Sequence, residues 1–255
     1  MRIGLVLIGE ELLSGKRQDK HLPWMIQALA ARRLELSWAH VLGDDEAALS
    51  ELFSKTMASN DLVFSCGGIG ATPDDCTRQA AARAAGRALV RHPAAAQLLE
   101  DRYGDQAYPQ RINMAYFAEG AELIPNPVNQ VAGFSIGHHY FVPGFPNMAQ
   151  PMIEWVLDTK YSHLSPEQAQ VEYGLRVHDV PESELIELME SLLGQFSGLR
   201  LSSLPDSNNR RFVELSVRGL AAEAAAAYQA MHGNLSARNI QLSDLNGPEA
   251  NKETV

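Results

Sequence analysis

The sequence predicts an α/β protein: a three-layer α/β/α domain on a mostly parallel sheet, followed by a small α+β domain. Three observations carry that expectation. Unbroken apolar runs at residues 3–8 and 62–66 are what strands covered on both faces look like. Segments with apolar residues at helical spacing alternate with such runs, the signature of strand–helix crossovers. Beyond residue 160 this alternation gives way to a short mixed set of elements, within the size of an independent small domain.

The elements follow in order. Strand 3–8 leads into a polar loop over 9–15. Leu22, Met25, Ile26, Leu29 and Ala30 recur at helical spacing, and 34–42 reads as a second strand. Gly43-Asp44-Asp45 is a turn in which either Asp can cap the helix of Ala48, Leu49, Leu52, Phe53 and Met57. Strand 62–66 runs into a glycine-rich loop. Ala-rich helices are expected over 77–85 and 92–103, and another helix over 110–117. Leu123 and Ile124 form a short strand stopped by prolines. Residues 132–142 read as a hairpin turning at Gly137-His138, and a helix over 148–157 closes a domain of residues 1–160. A polar linker, 161–168, follows. The second domain, 168–245, holds strand 171–177, helix 182–193, strands 199–203 and 211–217, and helix 221–231. The tail, 246–255, is polar and expected to be disordered.

The chain has 255 residues, 21 basic against 31 acidic, for a formal charge of −10. That balance argues against nucleic acid and anionic membranes as partners. No apolar run approaches the roughly 20 residues needed to span a bilayer, and the N-terminal run is too short for a signal peptide. Two cysteines, Cys66 and Cys76, fit free thiols in a reducing cytoplasm. They flank the glycine loop, where a redox role is conceivable and buried packing is the commoner use. The histidines form no ligand-spaced pair.

In parallel sheets ligands bind beyond the carboxyl ends of strands. Four loops leave such ends here. They carry Glu10 and Glu11, then Asp44 and Asp45, then Gly67-Gly68-Ile69-Gly70-Ala71-Thr72-Pro73-Asp74-Asp75, and then Pro143-Gly144. Glycines at 67, 68 and 70 allow a sharp turn that presents backbone N–H groups, with a helix start just beyond them to favour an anion. Thr72, Pro73 and Asp75 also read as a capping box, Asp75 reaching back to the Thr72 N–H. Glu10 and Glu11 have no helix start to cap. Carboxylates beside a phosphate imply a cation between them, so the twin Asp point either to a cap or to Mg²⁺ or Mn²⁺ with a diphosphate.

The ordered set Gly9-Glu10-Glu11-Leu12-Leu13-x-Gly15, Gly43-Asp44-Asp45, Gly67-Gly68-x-Gly70-x-Thr72-x-Asp74-Asp75-x-Thr77, Asn126-Pro127 and Pro143-Gly144-x-Pro146 resembles the N-terminal domain of the CinA competence/damage-inducible family. That domain belongs to the molybdopterin-binding superfamily of MoaB and MogA. The second domain is similar to the KH-type middle domain of CinA, with Glu182-Ser183-Glu184-Leu185 at its first helix. The resemblance covers about residues 1–160 and implies a homo-oligomer, a dimer or trimer, of MoaB/MogA-like fold. It implies one of two activities. The first is metal-dependent hydrolysis of ADP-ribose and related diphosphates, with Asp75, Asp74 and Glu10 catalytic and holding Mg²⁺, Mn²⁺ or Co²⁺. The second is binding of molybdopterin. A non-catalytic scaffold of the same fold is a third reading. The ligand side of the motif is Gly67, Gly68, Ile69, Gly70, Ala71, Thr72 and Thr77, with Asp44, Pro143 and Gly144.

Two departures bear on this. Met148 stands where the family has Glu, and the chain ends where a nicotinamide mononucleotide deamidase domain would begin, so deamidation is not expected. The KH-type resemblance carries no RNA-binding implication. From residue 161 onward there are 7 basic against 13 acidic residues and the GXXG backbone clamp is missing from the sequence.

Overall fold

Unbroken apolar strands need cover on both faces, and a computed structural model of the chain, described over residues 1–164, 170–206 and 211–248, supplies it. Strand β1 (Ile3–Ile8) is buried at every residue. Leu5 and Leu7 join one core with α2 (His21–Ala30) and α6 (Pro146–Lys160). Val6 and Ile8 face the other core, with α3 (Glu46–Met57), α4 (Thr77–Ala84) and α5 (Pro93–Tyr103). The period of two along the strand thus divides one apolar run between two helical layers.

The sheet order is β2–β1–β3–β8–β7–β6. β2 (Trp38–Leu42), β1, β3 (Leu62–Cys66) and β8 (His139–Val142) pair in parallel. β7 (Gly133–Ile136) and β6 (Glu122–Ile124) add antiparallel pairs. Because β2 and β3 flank β1, the chain departs to both sides of β1, which opens a crevice at the carboxyl ends. Phe134 is fully buried and stacks between Phe117 and Phe141, with ring centroids 4.5 Å away on each side.

Residues 110–117 differ from the expected helix. A 3-10 turn, Arg111–Ala115, leads into β5 (Tyr116–Ala118), which pairs with β4 (Leu89–Arg91). Extended backbone there places Phe117 on Phe134, a contact a continued helix would forfeit. The second strand is also shorter than expected, starting at Trp38.

The chain divides into two compact units, Met1–Ser165 and Pro166–Val255. The second has an antiparallel sheet ordered β10–β11–β9–β12, with β9 (Gln170–His178), β10 (Arg200–Pro205), β11 (Phe212–Leu220) and β12 (Leu242–Asn246). Helices α7 (Ile186–Gln195) and α8 (Ala221–Ala237) cover it through Leu188, Leu192, Ala227 and Met231. The stretch 182–185 is a 3-10 turn ahead of α7. β12 carries Asn246, which the sequence assigned to a tail. Its residues are mostly exposed, so no apolar alternation announces it. The expected linker beyond residue 164 and the tail beyond 248 lie outside the described residues. No described helix is long and apolar enough to cross a membrane.

Candidate functional site

The loops that follow β1, β3 and β8 meet without side chains between them. Gly67 has φ +113°, and a Cβ there would lie 2.3 Å from the Ile8 carbonyl oxygen. Gly68 has φ +67°, and its Cβ would lie 2.1 Å from Thr77 Oγ1. A Cβ on Gly144 would come within 3.3 Å of the Gly67 Cα. The Gly67 N–H donates to Val142 O. The next four N–H groups, of Gly68, Ile69, Gly70 and Ala71, find no acceptor among the described residues. Unpaired amides in succession make an anion receptor.

Arg78 braces this loop from behind. Only 4% exposed, it donates to Gly70 O at 2.8 Å and to Asn113 O. No carboxylate among the described residues lies within ion-pair distance of it. Burial lowers its pKa, against the opposing charge of Asp75.

The helix begins where the expected helix over 77–85 does, and not at Pro73 as a capping box would need. α4 starts at Thr77, with Cys76 ahead of it and no side-chain cap. The reach of Asp75 back to Thr72 does form, at 2.8 Å from the N–H and 2.5 Å from the hydroxyl. It closes a separate turn in front of the helix, so the capping-box reading is corrected. The turn also engages the Thr72 N–H internally. Thr77 is fully buried, its N–H on Gly68 O and its hydroxyl on Gly67 O at 3.0 Å. It pins the loop through these two bonds.

Glu10 is also corrected. Glu10 and Glu11 open a one-turn helix, α1 (Glu10–Leu13), so a helix start does exist there. The Glu10 carboxylate lies beside Gly43, 2.4 Å from where a Cβ would be, and does not line the crevice. Glu11 lines it, with Asp44, Asp74, Asp75 and Arg17. Asp45 caps α3 through the N–H groups of Ala47 and Ala48, while Asp44 accepts the Glu10 N–H at 3.1 Å.

Burial raises the Asp44 pKa, and the charges of Asp74, Glu11 and Asp75 raise it further against the Glu10 amide. Polar contact with the Thr72 side of the turn and its own backbone amide hold Asp74 below the usual carboxylate range, while the Thr72 hydroxyl proton itself goes to Asp75. Among the described residues, no group of three or more His, Cys, Asp or Glu side chains is arranged to hold a metal ion. The expected metal set of Asp75, Asp74 and Glu10 is therefore not assembled: one carboxylate is spent on Thr72, and Glu10 lies beside Gly43. A carboxylate pKa raised in the fold gives stability present below the unfolded value, near 3.9, and lost as pH rises through the folded one. Asp44→Asn is accordingly expected to raise stability at pH 7, with the gain vanishing below about pH 3.9 in urea melts.

From the glycine loop a cleft of 540 Å³ extends to an apolar wall of Tyr103, Met114, Val131, Phe145 and Met148. Ile69, Thr72, Pro143 and Gly144 border the same cleft. Phe145 is 53% exposed. Asn129 donates to the Met148 sulfur at 3.1 Å. Asn126, 4% exposed, shapes this turn by accepting from Val128 N–H at 3.0 Å and donating to Val131 O at 3.1 Å. Tyr103, Met114 and Phe145 come from separate elements, and Asn129 and Val131 from one turn between β6 and β7. The sequence signals near this wall were Asn126-Pro127 and the Pro143-Gly144-x-Pro146 segment that leads to Met148. Both cysteines are free. Cys66 is buried, with its thiol pKa pushed up by burial, which disfavours the reactive thiolate.

A family model described as a probable molybdopterin binding domain matches residues 4–163, the span that holds all of these loops. The chain belongs to the molybdopterin-binding domain family. CinA-like members of this family are similar over more of the chain. One from Geobacter sulfurreducens is 29% identical over 253 residues, 96% of this chain and 60% of its own length. Another from Citrifermentans bemidjiense is 30% identical over 211 residues, 79% of this chain and 50% of its own length. The chain thus spans about half to three-fifths of these relatives. The crystal structure of CinA from Thermoplasma acidophilum, a protein of unknown function, superposes with a TM-score of 0.57 at 25% identity. It covers 62% of this chain and 98% of that one. The three-layer fold is therefore that of a CinA-like molybdopterin-binding domain.

Proposed function

We propose that residues 1–164 bind a phosphorylated pterin of the molybdopterin type. The observation that carries this is one cleft with two unlike ends. Four unpaired amides, at Gly68, Ile69, Gly70 and Ala71, stand at one end. Tyr103, Met114, Phe145 and Met148 stand at the other. The first end suits phosphate. The second suits a flat ring, which gains from aromatic and thioether contact. Glycines make the cradle possible, since a Cβ at Gly68 or Gly70 would fall on Thr77 or Asp75. Titration with a pterin phosphate, followed by quenching of pterin fluorescence, tests it. Phe145→Ala is expected to weaken binding about tenfold, or about 1.4 kcal/mol. Absence of quenching in the wild-type chain would overturn the reading.

The carboxylates favour a second reading, hydrolysis of an ADP-ribose-type diphosphate. Asp44, Asp74, Asp75 and Glu11 stand near where a diphosphate on the loop would lie. Because no three-donor cluster is preformed among the described residues, no metal step is assigned. Incubating ADP-ribose with the protein and Mg²⁺, Mn²⁺ or Co²⁺ decides. Release of AMP that Asp75→Asn abolishes supports hydrolysis, and intact substrate in every case leaves a binding protein. Self-association as a dimer or trimer belongs to the same proposal, and a monomer mass by light scattering would refute it.

A further inference from the structure

Three carbonyls of the glycine loop are held from the side of α4. The Thr77 hydroxyl donates to Gly67 O at 3.0 Å, the Thr77 N–H to Gly68 O at 3.0 Å, and Arg78 Nη2 to Gly70 O at 2.8 Å. These peptides are trans, and in a trans peptide the carbonyl and the N–H that follows it point in opposite directions. Drawing the three carbonyls toward α4 therefore turns the N–H groups of Gly68, Ile69 and Ala71 away from it. The cleft is lined by Gly68, Ile69 and Ala71 and by no residue of α4, so the amides are turned toward the cleft. Thr77 aims two of them and Arg78 the third.

Arg78 has a second bond. Its Nη1 donates to Asn113 O, in the 3-10 turn Arg111–Ala115 that carries Met114. Ala71 is the last amide of the cradle, and Met114 stands in the apolar wall of the same cleft. The carbonyl held at each place belongs to the residue just before: Gly70 before Ala71, Asn113 before Met114. One guanidinium thus joins the two ends of the cleft, and its planar fork keeps the two carbonyls at a set separation. A buried charge is a poor source of stability, and this one spends its donors on these two carbonyls. We propose that Arg78 is the positioning residue of the site. It aims the Ala71 amide at the phosphate and fixes the span between cradle and wall, without touching the ligand. This rests on the reading that the cleft takes a phosphorylated ring. It goes further by making the span a determinant of specificity, so that a ligand is selected by the distance between its phosphate and its ring.

Inorganic phosphate probes the cradle alone, a pterin without phosphate the wall alone, and a pterin phosphate both. In NMR titration of the full wild-type chain, phosphate is expected to shift the amides of Gly68, Ile69 and Ala71. The Met114 amide and the Arg78 side chain are expected to shift with the same midpoint, although phosphate does not reach them. Arg78→Lys keeps the charge without the fork, and Arg78→Met keeps the length without either. In both variants the pterin phosphate is expected to lose about tenfold in affinity, while the pterin alone binds within about twofold of wild type and phosphate loses less than the joined ligand. That excess loss measures the span. Equal losses for all three probes, or an unchanged affinity for the joined ligand, would overturn the positioning role and leave the cleft as a binding site. So would a Met114 amide and an Arg78 side chain that stay still in the wild-type chain while phosphate moves Ala71, a result that needs no variant to fold. Failure of the pterin phosphate to bind the wild-type chain would overturn the ligand reading, and the positioning role with it.

Discussion

Gly67→Ala is expected to destabilise the first unit by about 2–3 kcal/mol and to abolish binding of phosphorylated ligands. Two costs combine. The residue holds φ +113°, a conformation that strains any side chain by roughly 1–3 kcal/mol. Its Cβ would also lie 2.3 Å from the Ile8 carbonyl, a backbone atom of the central strand that cannot swing aside. Relief requires β3 to move away from β1, and that displaces the amides of Gly68, Ile69, Gly70 and Ala71. Urea unfolding and pterin titration measure the two effects. A variant as stable as the parent with unchanged affinity would show that the close approach of the loops is not needed. Gly15→Ala is the control, since that glycine has φ +71° but nothing within 4 Å of its Cβ position. It tests backbone strain without the clash.

Lowering the pH from 7 to 4 is expected to cost roughly 3 kcal/mol through His139 alone. The side chain is 3% exposed and its Nε2 lies 2.8 Å from Thr56 Oγ1. Its pKa is pushed down to about 4, mainly by burial, with His138 adding to the depression and Asp61 opposing it. The unfolded chain takes up a proton near pH 6.5 while the native one does not until about 4. Stability is therefore full above pH 6.5 and is lost as pH falls toward 4. A drop from about 6.5 to about 4, at about 1.4 kcal/mol per pH unit, would reach about 3.5 kcal/mol at full protonation, and half-protonation of the native ring at pH 4 leaves roughly 3. His139→Gln keeps a hydrogen-bonding side chain without the titration. Its unfolding free energy is expected to fall less between pH 7 and 4 by the same amount, in paired urea melts. Parallel pH curves for the two proteins would refute the assignment.

The outcome at the glycine loop shows how far residue types alone can be read. That Gly67, Gly68 and Gly70 form a tight turn at the strand ends follows from close approaches that only glycine permits. The choice between Glu10 and Glu11 did not follow. Adjacent residues on a helical turn point about 100° apart, so which of them faces the crevice depends on where α1 starts, and a one-turn helix has no periodic signal. Asp75 is similar. Its bond to Thr72 was legible from spacing, but that the bond closes a turn ahead of α4 depends on Thr77 being drawn under the loop.

By itself the sequence determined the layered α/β unit, the second small unit, and the strand ends whose loops converge. These follow from local pattern: runs buried on both faces, amphipathic spacing and glycine turns, each contained within a few residues. Only the tertiary structure decided the apolar wall and the brace from Arg78. Tyr103 ends α5, Met114 lies in the 3-10 turn ahead of β5, Asn129 sits between β6 and β7 and Phe145 follows β8, and they meet only in the folded domain. Arg78 reads as one more basic helical residue until burial places its guanidinium on the carbonyls of Gly70 and Asn113. The physical reason is the same in each case. These features are made by packing between distant segments, and a residue's role there is set by what surrounds it and not by its neighbours in sequence.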